Sequence, residues 1–199
     1  ENGIVFRQGV RSVRTQLPAV FDDHGNGLSD VMRRLLRSLY ETIVFLDGKI
    51  TDQNLVLHEI VKRNETCKRL VGVPGIGFIT ATILMSMAGS AHDFKNGREF
   101  AAYLGLVPRQ HSTGGKQRML GITKRGDTYV RTLLIHGARA VLRSIKKGGV
   151  LLGDGSQAVW LAQLSERRGI NRASVALANK TARVVWSMIA HGTEYRAAA

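Results

Sequence analysis

The sequence predicts a mainly α-helical protein, in which a long helical arm is followed by a helical domain. Apolar residues recur at steps of three and four over most of the chain, which is the period of an amphipathic helix. Clusters of Gly and Pro separate these stretches from one another. No run of alternating residues is long enough to predict a sheet. With 199 residues, the chain can bury a sizeable core without disulfide or metal staples.

The first long helix follows a mixed segment, residues 1–27, which we expect to be a connector with a short helix over 11–20. Ser29 is the predicted N-cap of this helix, and Asp30 lies in its first turn. The apolar residues that come next form a seam: Leu28, Met32, Leu35, Leu39, Ile43, Leu46, Ile50, Leu57 and Ile60. A seam of this length predicts a coiled-coil dimerisation arm over residues 28–69. The alternative is a helix that lies along its own domain.

A second helical region begins after an apolar turn at residues 70–77, which contains Pro74, Gly75 and Gly77. Two helices joined by such a turn resemble the helix-hairpin-helix motif of DNA-binding proteins. Glycines let the backbone approach a phosphate closely, and the free N–H groups at a helix start favour an anion. Gly75 and Gly77 are therefore candidate phosphate contacts. A purely structural turn remains open, because Phe78 follows Gly77 where Lys or Arg would be expected.

Four further helices are expected in the rest of the chain, over residues 98–106, 128–147, 156–168 and 172–191. Asp127 or Thr128 caps the second of them. Asn171 caps the last, and Gly192 ends it. Between the first two lies a polar loop at 107–118, and loops on a rigid scaffold often carry the chemistry of a protein.

The formal net charge of +14 is unevenly distributed along the chain. Residues 1–70 carry +2, residues 71–147 carry +9 and residues 148–199 carry +3. Within 105–147 the only acidic residue is Asp127. A block of one sign inside a folded segment indicates a polyanionic partner, and nucleic acid is the default candidate. The alternatives are a basic face kept for solubility or for anionic lipid.

The cysteine content and hydropathy of the sequence argue against a disulfide framework, a zinc site and a membrane span. Cys67 is the only cysteine, so no disulfide framework is possible, and no Cys/His set has zinc-ligand spacing. This usage indicates a reducing, cytoplasmic setting. The longest uncharged stretch, 70–90, contains Pro74 and four glycines, which indicates a loop and a helix rather than a membrane span. The chain begins at Glu1 without a signal-peptide pattern, and we expect it to be a piece of a longer protein.

Ser112 is the candidate nucleophile in the polar loop, because it lies among Arg109, His111, Lys116 and Arg118. A serine hydroxyl is a poor nucleophile unless a base or cationic surroundings stabilise the transition state. Cations that clamp a phosphodiester would supply the electrostatic part of that stabilisation. On this reasoning alone, a loop serine that is merely polar remains the more common case. The glycine spacing excludes a P-loop, and the acids of the basic region lack the pairing of a two-metal site.

Four sequence blocks follow one another in a characteristic order: Tyr-Leu-Gly-Leu-Val-Pro at 103–108, Ser-Thr-Gly-Gly-Lys at 112–116, Ile-Thr-Lys-Arg-Gly-Asp at 122–127 and Arg-Thr-Leu-Leu at 131–134. The turn Val-Pro-Gly-Ile-Gly at 73–77 and the long helical seam precede them. In this order and spacing, nearly the whole chain resembles the C-terminal half of the IS-one-ten (Piv/MooV-type) transposases and site-specific DNA invertases of bacteria.

The resemblance implies a recombinase that cuts and rejoins DNA during transposition of an insertion sequence. Ser112 takes the position of the family's serine nucleophile, which forms a covalent phosphoserine link with DNA. An N-terminal RuvC-like nuclease domain, which holds Mg²⁺ on four acids, would precede the connector at 1–27. Residues 70–199 would form the helical transposase domain with the serine loop. The cations expected to hold DNA phosphates are Arg109, Lys116, Arg118, Lys124, Arg125 and Arg131.

The same resemblance implies the partners of the protein. They are DNA (element ends and target), a structured non-coding guide RNA, and further copies of the chain in a dimer or tetramer joined through the coiled coil. No membrane partner is expected, and the location is the bacterial cytoplasm, in association with the nucleoid. Because the acidic quartet is not in these residues, we expect the chain to hold no metal and to be inactive alone. The alternatives are a non-enzymatic helix-hairpin-helix nucleic-acid-binding module with a dimerisation arm and, more weakly, a structural coiled-coil scaffold.

Overall fold

A computed structural model of the chain describes residues 3–87, 93–114, 118–147 and 156–196. Nearly all of its regular structure is helical, so the predicted mainly α class is confirmed. The helices are α1 (Val10–Asp22), α2 (Asp30–Arg63), α3 (Glu65–Val71), α4 (Phe78–Ser86), α5 (Gly97–Tyr103), α6 (Thr128–Lys146), α7 (Ser156–Arg168) and α8 (Ile170–His191). Two short strands, β1 (Pro108–Gln110) and β2 (Met119–Ile122), lie between α5 and α6.

The chain divides into two compact units, residues 1–56 and residues 57–199, and the boundary falls within α2. Among the described helices, none is both long enough and apolar enough to cross a membrane.

The first unit consists of α1 and most of α2. The Phe21 ring meets Tyr40 edge-on, with 5.8 Å between ring centroids, and the Arg37 guanidinium lies 5.4 Å from the centre of the Phe21 ring. An ion pair of 2.8 Å joins Arg14 Nη2 to Asp47 Oδ1. The short helix expected at 11–20 is present and longer than predicted at both ends. These contacts dock α1 on the N-terminal half of α2.

Arg33 connects α2 to the end of α1. Its Nη1 donates to the carbonyl oxygens of Val20, Phe21 and Asp23, and its Nη2 donates to Asn26 Oδ1 at 2.8 Å. The last carbonyls of a helix have no partner within the helix. The buried guanidinium therefore supplies donors where α1 leaves acceptors unpaired.

The seam predicts a helix over residues 29–64, and α2 begins and ends within one residue of these bounds. Ser29 acts as the predicted N-cap, since its Oγ accepts from the Met32 N–H at 3.3 Å. Arg33 is the only described side chain of α2 that is buried. Its apolar seam is consequently exposed in the isolated chain over Met32, Leu35, Leu39, Leu46 and Ile50. Whether this seam pairs in a coiled coil stays a prediction.

The core of the second unit is built around α8, which packs against α3, α5, α6 and α7. Its inner face carries small and branched side chains: Ala173, Leu177, Ala178, Ala182 and Val185. The facing side of α6 contributes Val130, Leu134, Ala138, Val141 and Leu142. Alanines on both helices let their backbones come close while the larger residues fill the space between. This packed core is the scaffold on which the two strands are mounted.

Side chains cap the N-termini of three helices of the second unit, α3, α5 and α6. Asp127 Oδ1 accepts from the Val130 N–H at 2.9 Å, as predicted, and the left-handed residue Gly192 follows the end of α8. The predicted cap at Asn171 is wrong, because α8 begins at Ile170 after Gly169. Asn171 lies in the first turn, where its Oδ1 accepts from Arg139 Nη2 at 3.1 Å. The glycine pair at 148 and 149 predicts the end of α6, and both residues lie outside the described residues.

Candidate serine loop and basic groove

The polar loop of the sequence is an antiparallel hairpin in the structure. β1 and β2 pair with Pro108 opposite Ile122 and Gln110 opposite Met119, and a bulge shifts the register between these pairs. The His111 N–H donates to the Arg118 carbonyl at 2.9 Å and closes the hairpin towards its tip. Sequence reasoning missed the strands because nearly all their residues are exposed, which removes the alternation that marks a half-buried strand.

The base of the hairpin is fixed by a close approach between two chain segments. The Lys124 N–H donates to the Gly105 carbonyl at 3.1 Å. Gly105 and Gly126 both have positive φ, and a β-carbon on either would overlap a backbone carbonyl of the opposite segment, that of Arg125 or of Tyr103. Glycine is required at both positions for conformation and for space. The hairpin therefore stands on a rigid support.

The side chain of Arg131 also stabilises the base of the hairpin. Its side chain is 6% exposed, and Nη1 donates to the carbonyl oxygens of Leu104 and Arg125 at 3.2 and 3.1 Å. Nη2 donates to Thr128 Oγ1 at 3.0 Å. The sequence predicts a phosphate contact for Arg131, but a guanidinium buried among carbonyls is already engaged. We therefore assign it to the fold and omit it from the proposed phosphate-binding set.

Ser112 lies exposed near the tip of the hairpin. Its Oγ accepts a hydrogen bond from Gln110 Nε2 at 2.9 Å. Sequence reasoning did not single out Gln110. The signal that could have found it is its spacing, since residues two apart share one side of an extended segment. An amide donor aimed at Oγ would stabilise negative charge that develops on the oxygen when the serine reacts.

The hairpin and its base carry four of the predicted phosphate-binding cations in exposed positions: Arg109, Arg118, Lys124 and Arg125. None of them forms an ion pair with a carboxylate of the described residues. Lys116 lies outside the described residues. The described cations near Ser112 thus remain available to an anionic ligand.

The two predicted glycine contacts lie in the turn between α3 and α4, and their surroundings differ. Gly75 has a φ of +88°, and a β-carbon there would lie 2.9 Å from the carbonyl oxygen of Gly137 on α6. It is thus required for packing of the turn. Gly77 is exposed at the N-cap of α4, and a β-carbon there would meet nothing within 4 Å. A phosphate contact at Gly77 stays a prediction.

A groove of about 1270 Å³ lies beside the hairpin. β2 forms one side, and α7 and α8 form the other. Besides Lys124, the cations that line it are Arg168, Arg172, Lys180 and Arg183. Sequence reasoning did not name these four, because they are spread over two helices in a segment whose net charge is only +3. Their clustering is a product of the tertiary fold.

The described residues offer little else for covalent or metal chemistry. Cys67 is fully buried, and burial raises the pKa of its thiol, which keeps it protonated and unreactive. Within the described part of the chain, no three His, Cys, Asp or Glu side chains are grouped so that they could hold a metal ion. Ser112 as a nucleophile stays a prediction.

Comparison with known proteins shows which proteins the chain is similar to. Residues 67–149 match the family model of the transposase IS116/IS110/IS902 family. The whole chain is 41% identical to the transposase for insertion sequence element IS1111A of Coxiella burnetii, and it covers 53% of that protein. The chain is thus similar to transposases of insertion sequences over its whole length, and residues 67–149 match the model of this family. The predicted resemblance is thereby confirmed.

Two further transposases are similar to nearly the whole chain. A probable family 20 transposase of Pseudomonas aeruginosa is 42% identical over 97% of the chain, which covers 56% of that protein. The transposase for insertion sequence element IS1328 of Yersinia enterocolitica is 35% identical over 98% of the chain, which again covers 56% of the relative. The chain thus spans about half the length of the relatives it matches. The family match, residues 67–149, includes the hairpin with Ser112.

Proposed function

We propose that this chain is the serine-bearing, DNA-binding part of a transposase that cuts and rejoins DNA, with Ser112 as the nucleophile. The observation that carries the proposal is the placement of Ser112 on an anchored hairpin, with Gln110 donating to its Oγ at 2.9 Å. Similarity to transposases of insertion sequences supports DNA as the substrate class. The proposal assigns a role to the exposed serine and to its cationic surroundings together.

In the proposed reaction, Ser112 Oγ attacks the phosphorus of a phosphodiester in DNA. A bond forms between Oγ and phosphorus, and the bond from phosphorus to one deoxyribose oxygen breaks. The serine proton leaves to a base, and the released sugar oxygen takes up a proton. A hydroxyl of a second DNA end then attacks the phosphoserine, which rejoins DNA and restores the serine. One phosphodiester is exchanged for another, so no external energy source is required.

The exposed cations of the hairpin would hold the scissile phosphate and its neighbours. Arg109 lies on β1, Arg118 directly precedes β2, and Lys124 and Arg125 follow at the base of the hairpin. Each phosphate contact releases counterions and positions the strand without reading its sequence. Lys116 is proposed for the same role from its place in the sequence.

The metal part of the reaction is assigned elsewhere. Because the described residues offer no cluster of metal ligands, we derive no step through a metal in this chain. Mg²⁺ and the acids that hold it are proposed to belong to a nuclease domain of the whole protein. We accordingly expect the chain by itself to bind DNA without cutting it.

Two further partners complete the proposal. The exposed seam of α2, over Met32, Leu35, Leu39, Leu46 and Ile50, would pair with a second copy of the chain in a dimer or tetramer. A structured non-coding RNA is proposed as a guide, on the family resemblance. The charge of the second unit supports the DNA-binding role, because this unit contains 22 basic and 8 acidic residues.

The experiment that tests the proposal is Ser112→Ala in the full-length protein, with Thr113→Ala as the matched control. We expect Ser112→Ala to abolish strand exchange while DNA affinity changes less than about twofold, because the hydroxyl contributes to chemistry and not to phosphate binding. Thr113→Ala should retain strand exchange. Unchanged strand exchange in Ser112→Ala would contradict the proposal and favour a non-enzymatic binding module.

A further inference from the structure

The groove beside the hairpin has a composition that the serine chemistry does not explain. It has a volume of about 1270 Å³, and its described lining contains five cations and no carboxylate. Arg168, Arg172 and Arg183 are exposed, and Lys180 is half-buried. No carboxylate of the described residues forms an ion pair with any of them. Such a concentration of one sign fits a polyanion.

An aromatic ring stands at the edge of the same groove. Trp160 on α7 is 38% exposed, and Lys180 Nζ lies 5.4 Å from the centre of its ring. A tryptophan that is both exposed and next to a cation offers a flat face on which a nucleic-acid base can stack. In a duplex the base faces are covered by their neighbours. The aromatic edge therefore favours an unpaired strand.

The floor of the groove is apolar. Leu106 is buried beneath it, and Val175 and Val184 are half-buried along α8. On the hairpin side, Met119 and Leu120 are exposed, at 59% and 40%. Apolar walls below a cationic rim suit bases that turn inwards while their phosphates face the rim. A phosphate backbone without accessible bases would leave these walls unused.

The sheet connects the groove to the proposed reaction centre. Met119 lines the groove and pairs in register with Gln110 on β1. Gln110 in turn donates to Ser112 Oγ. One face of the hairpin thus leads from the serine to the groove within a single pair of strands. A DNA strand held at Ser112 could continue along β2 without leaving the protein surface.

We propose that this groove holds a few unpaired nucleotides of the DNA strand next to the phosphodiester attacked by Ser112, with a base stacked on Trp160 and phosphates on Arg172 and Arg183. The choice of DNA rests on the proposed function of Ser112, since the groove is continuous with that site. Stacking on Trp160 and charge neutralisation by Arg172 and Arg183 can be measured separately, because stacking affects affinity alone and charge also affects its salt dependence.

The test measures binding of the 199-residue chain to a fluorescently labelled oligodeoxythymidine of roughly 12 nucleotides, by anisotropy over a range of salt concentrations. Trp160→Ala should weaken binding about tenfold with an unchanged salt slope, because a stacked base contributes affinity but no counterion release. Trp160→Phe should retain most of the affinity. Arg172→Ala with Arg183→Ala should lower the salt slope by about 0.7 for each phosphate that the protein no longer neutralises.

Matched controls separate the groove from general attraction to charge. Arg143→Ala with Lys146→Ala removes two exposed cations of α6 that do not line the groove, and it should change affinity by less than about twofold. Binding of an oligodeoxythymidine duplexed with its complement should be unaffected by Trp160→Ala. Circular dichroism of each variant should show the helix content of the parent chain.

Several results would overturn the groove proposal. They are equal losses in the control pair and the groove pair, equal loss of duplex and single-strand binding in Trp160→Ala, or tighter binding of oligouridine than of oligodeoxythymidine. These measurements do not depend on strand cleavage. If the groove variants bind normally while strand exchange still requires Ser112, the groove proposal alone fails. If they behave as expected while Ser112→Ala recombines normally, the proposal for Ser112 fails.

Discussion

The two units of the chain distribute charge and apolar side chains in opposite ways. Residues 1–56 contain seven basic and seven acidic side chains, and α2 exposes a seam of apolar residues there. Residues 57–199 contain 22 basic and 8 acidic side chains, and most of their large apolar residues lie in a packed core. The whole net charge of +14 therefore belongs to the second unit. This contrast underlies the proposals that α2 contacts a second copy of the chain and that the second unit binds DNA.

Each unit also contains a buried arginine, and the two resemble one another. Arg33 donates to carbonyls at the end of α1, and Arg131 donates to carbonyls at the base of the hairpin. In both cases a guanidinium satisfies several backbone acceptors that have no helical or strand partner. The comparison shows that a basic residue in a basic segment need not face the ligand. Its position in the fold decides which role it has.

The largest expected effect is on the free energy of unfolding, and it distinguishes the packed core of the second unit from the exposed seam of the first. Leu134 is 2% exposed between α6 and α8, so Leu134→Ala should lower the free energy of unfolding by about 2–5 kcal/mol. Leu39 is 54% exposed on α2, so Leu39→Ala should change that free energy by at most about 0.5 kcal/mol in a dilute monomer. Denaturant unfolding followed by circular dichroism measures both. Equal losses would contradict the division into a packed unit and an exposed seam.

The next effect tests whether the exposed seam of α2 mediates self-association of the chain. Leu46→Glu with Ile50→Glu places two charges on the seam, which should weaken self-association of the chain at least about tenfold, since buried charges oppose a coiled coil. Val44→Glu with Leu55→Glu adds the same charge on the opposite side of α2, where both residues are equally exposed. Sedimentation equilibrium measures the two pairs. Similar weakening by both would show that the seam is not the contact.

The smallest effect compares the N-caps of α2 and α6. Asp127 Oδ1 lies 2.9 Å from the Val130 nitrogen, whereas Ser29 Oγ lies 3.3 Å from that of Met32. Asp127→Ala should therefore lower the free energy of unfolding by about 1 kcal/mol, and Ser29→Ala by about 0.5 kcal/mol. Urea unfolding of both variants measures the difference. A larger loss for Ser29→Ala would mean that cap geometry does not set the contribution.

Local signals made the helices largely predictable. The bounds of α2, the caps at Ser29 and Asp127, and the left-handed residue Gly192 all follow from residue types and spacing within one or two turns. The cap at Asn171 was not predictable in this way, because Gly169 already turns the chain with a positive φ two residues earlier.

The features of the candidate site depend on contacts between distant segments. The hairpin has no buried alternating face, and four of the five groove cations lie on α7 and α8, outside the basic block at 105–147. Arg131 donates to carbonyls from segments before and after the hairpin. None of these contacts leaves a periodic pattern in the sequence. The basic neighbours of Ser112 make it a candidate nucleophile, but only the family resemblance distinguishes it from a loop serine that is merely polar.

The central claim is that Ser112 becomes covalently joined to DNA, and the most direct measurement is the mapping of that link. Full-length protein would be incubated with a nicked DNA substrate that traps the intermediate, digested with protease and nuclease, and analysed by mass spectrometry. We predict a nucleotide phosphate on the peptide that contains Ser112, at the Ser112 oxygen, and none in Ser112→Ala. A phosphate mapped to Thr113 or to any other residue, or strand exchange without a covalent protein–DNA link, would contradict it.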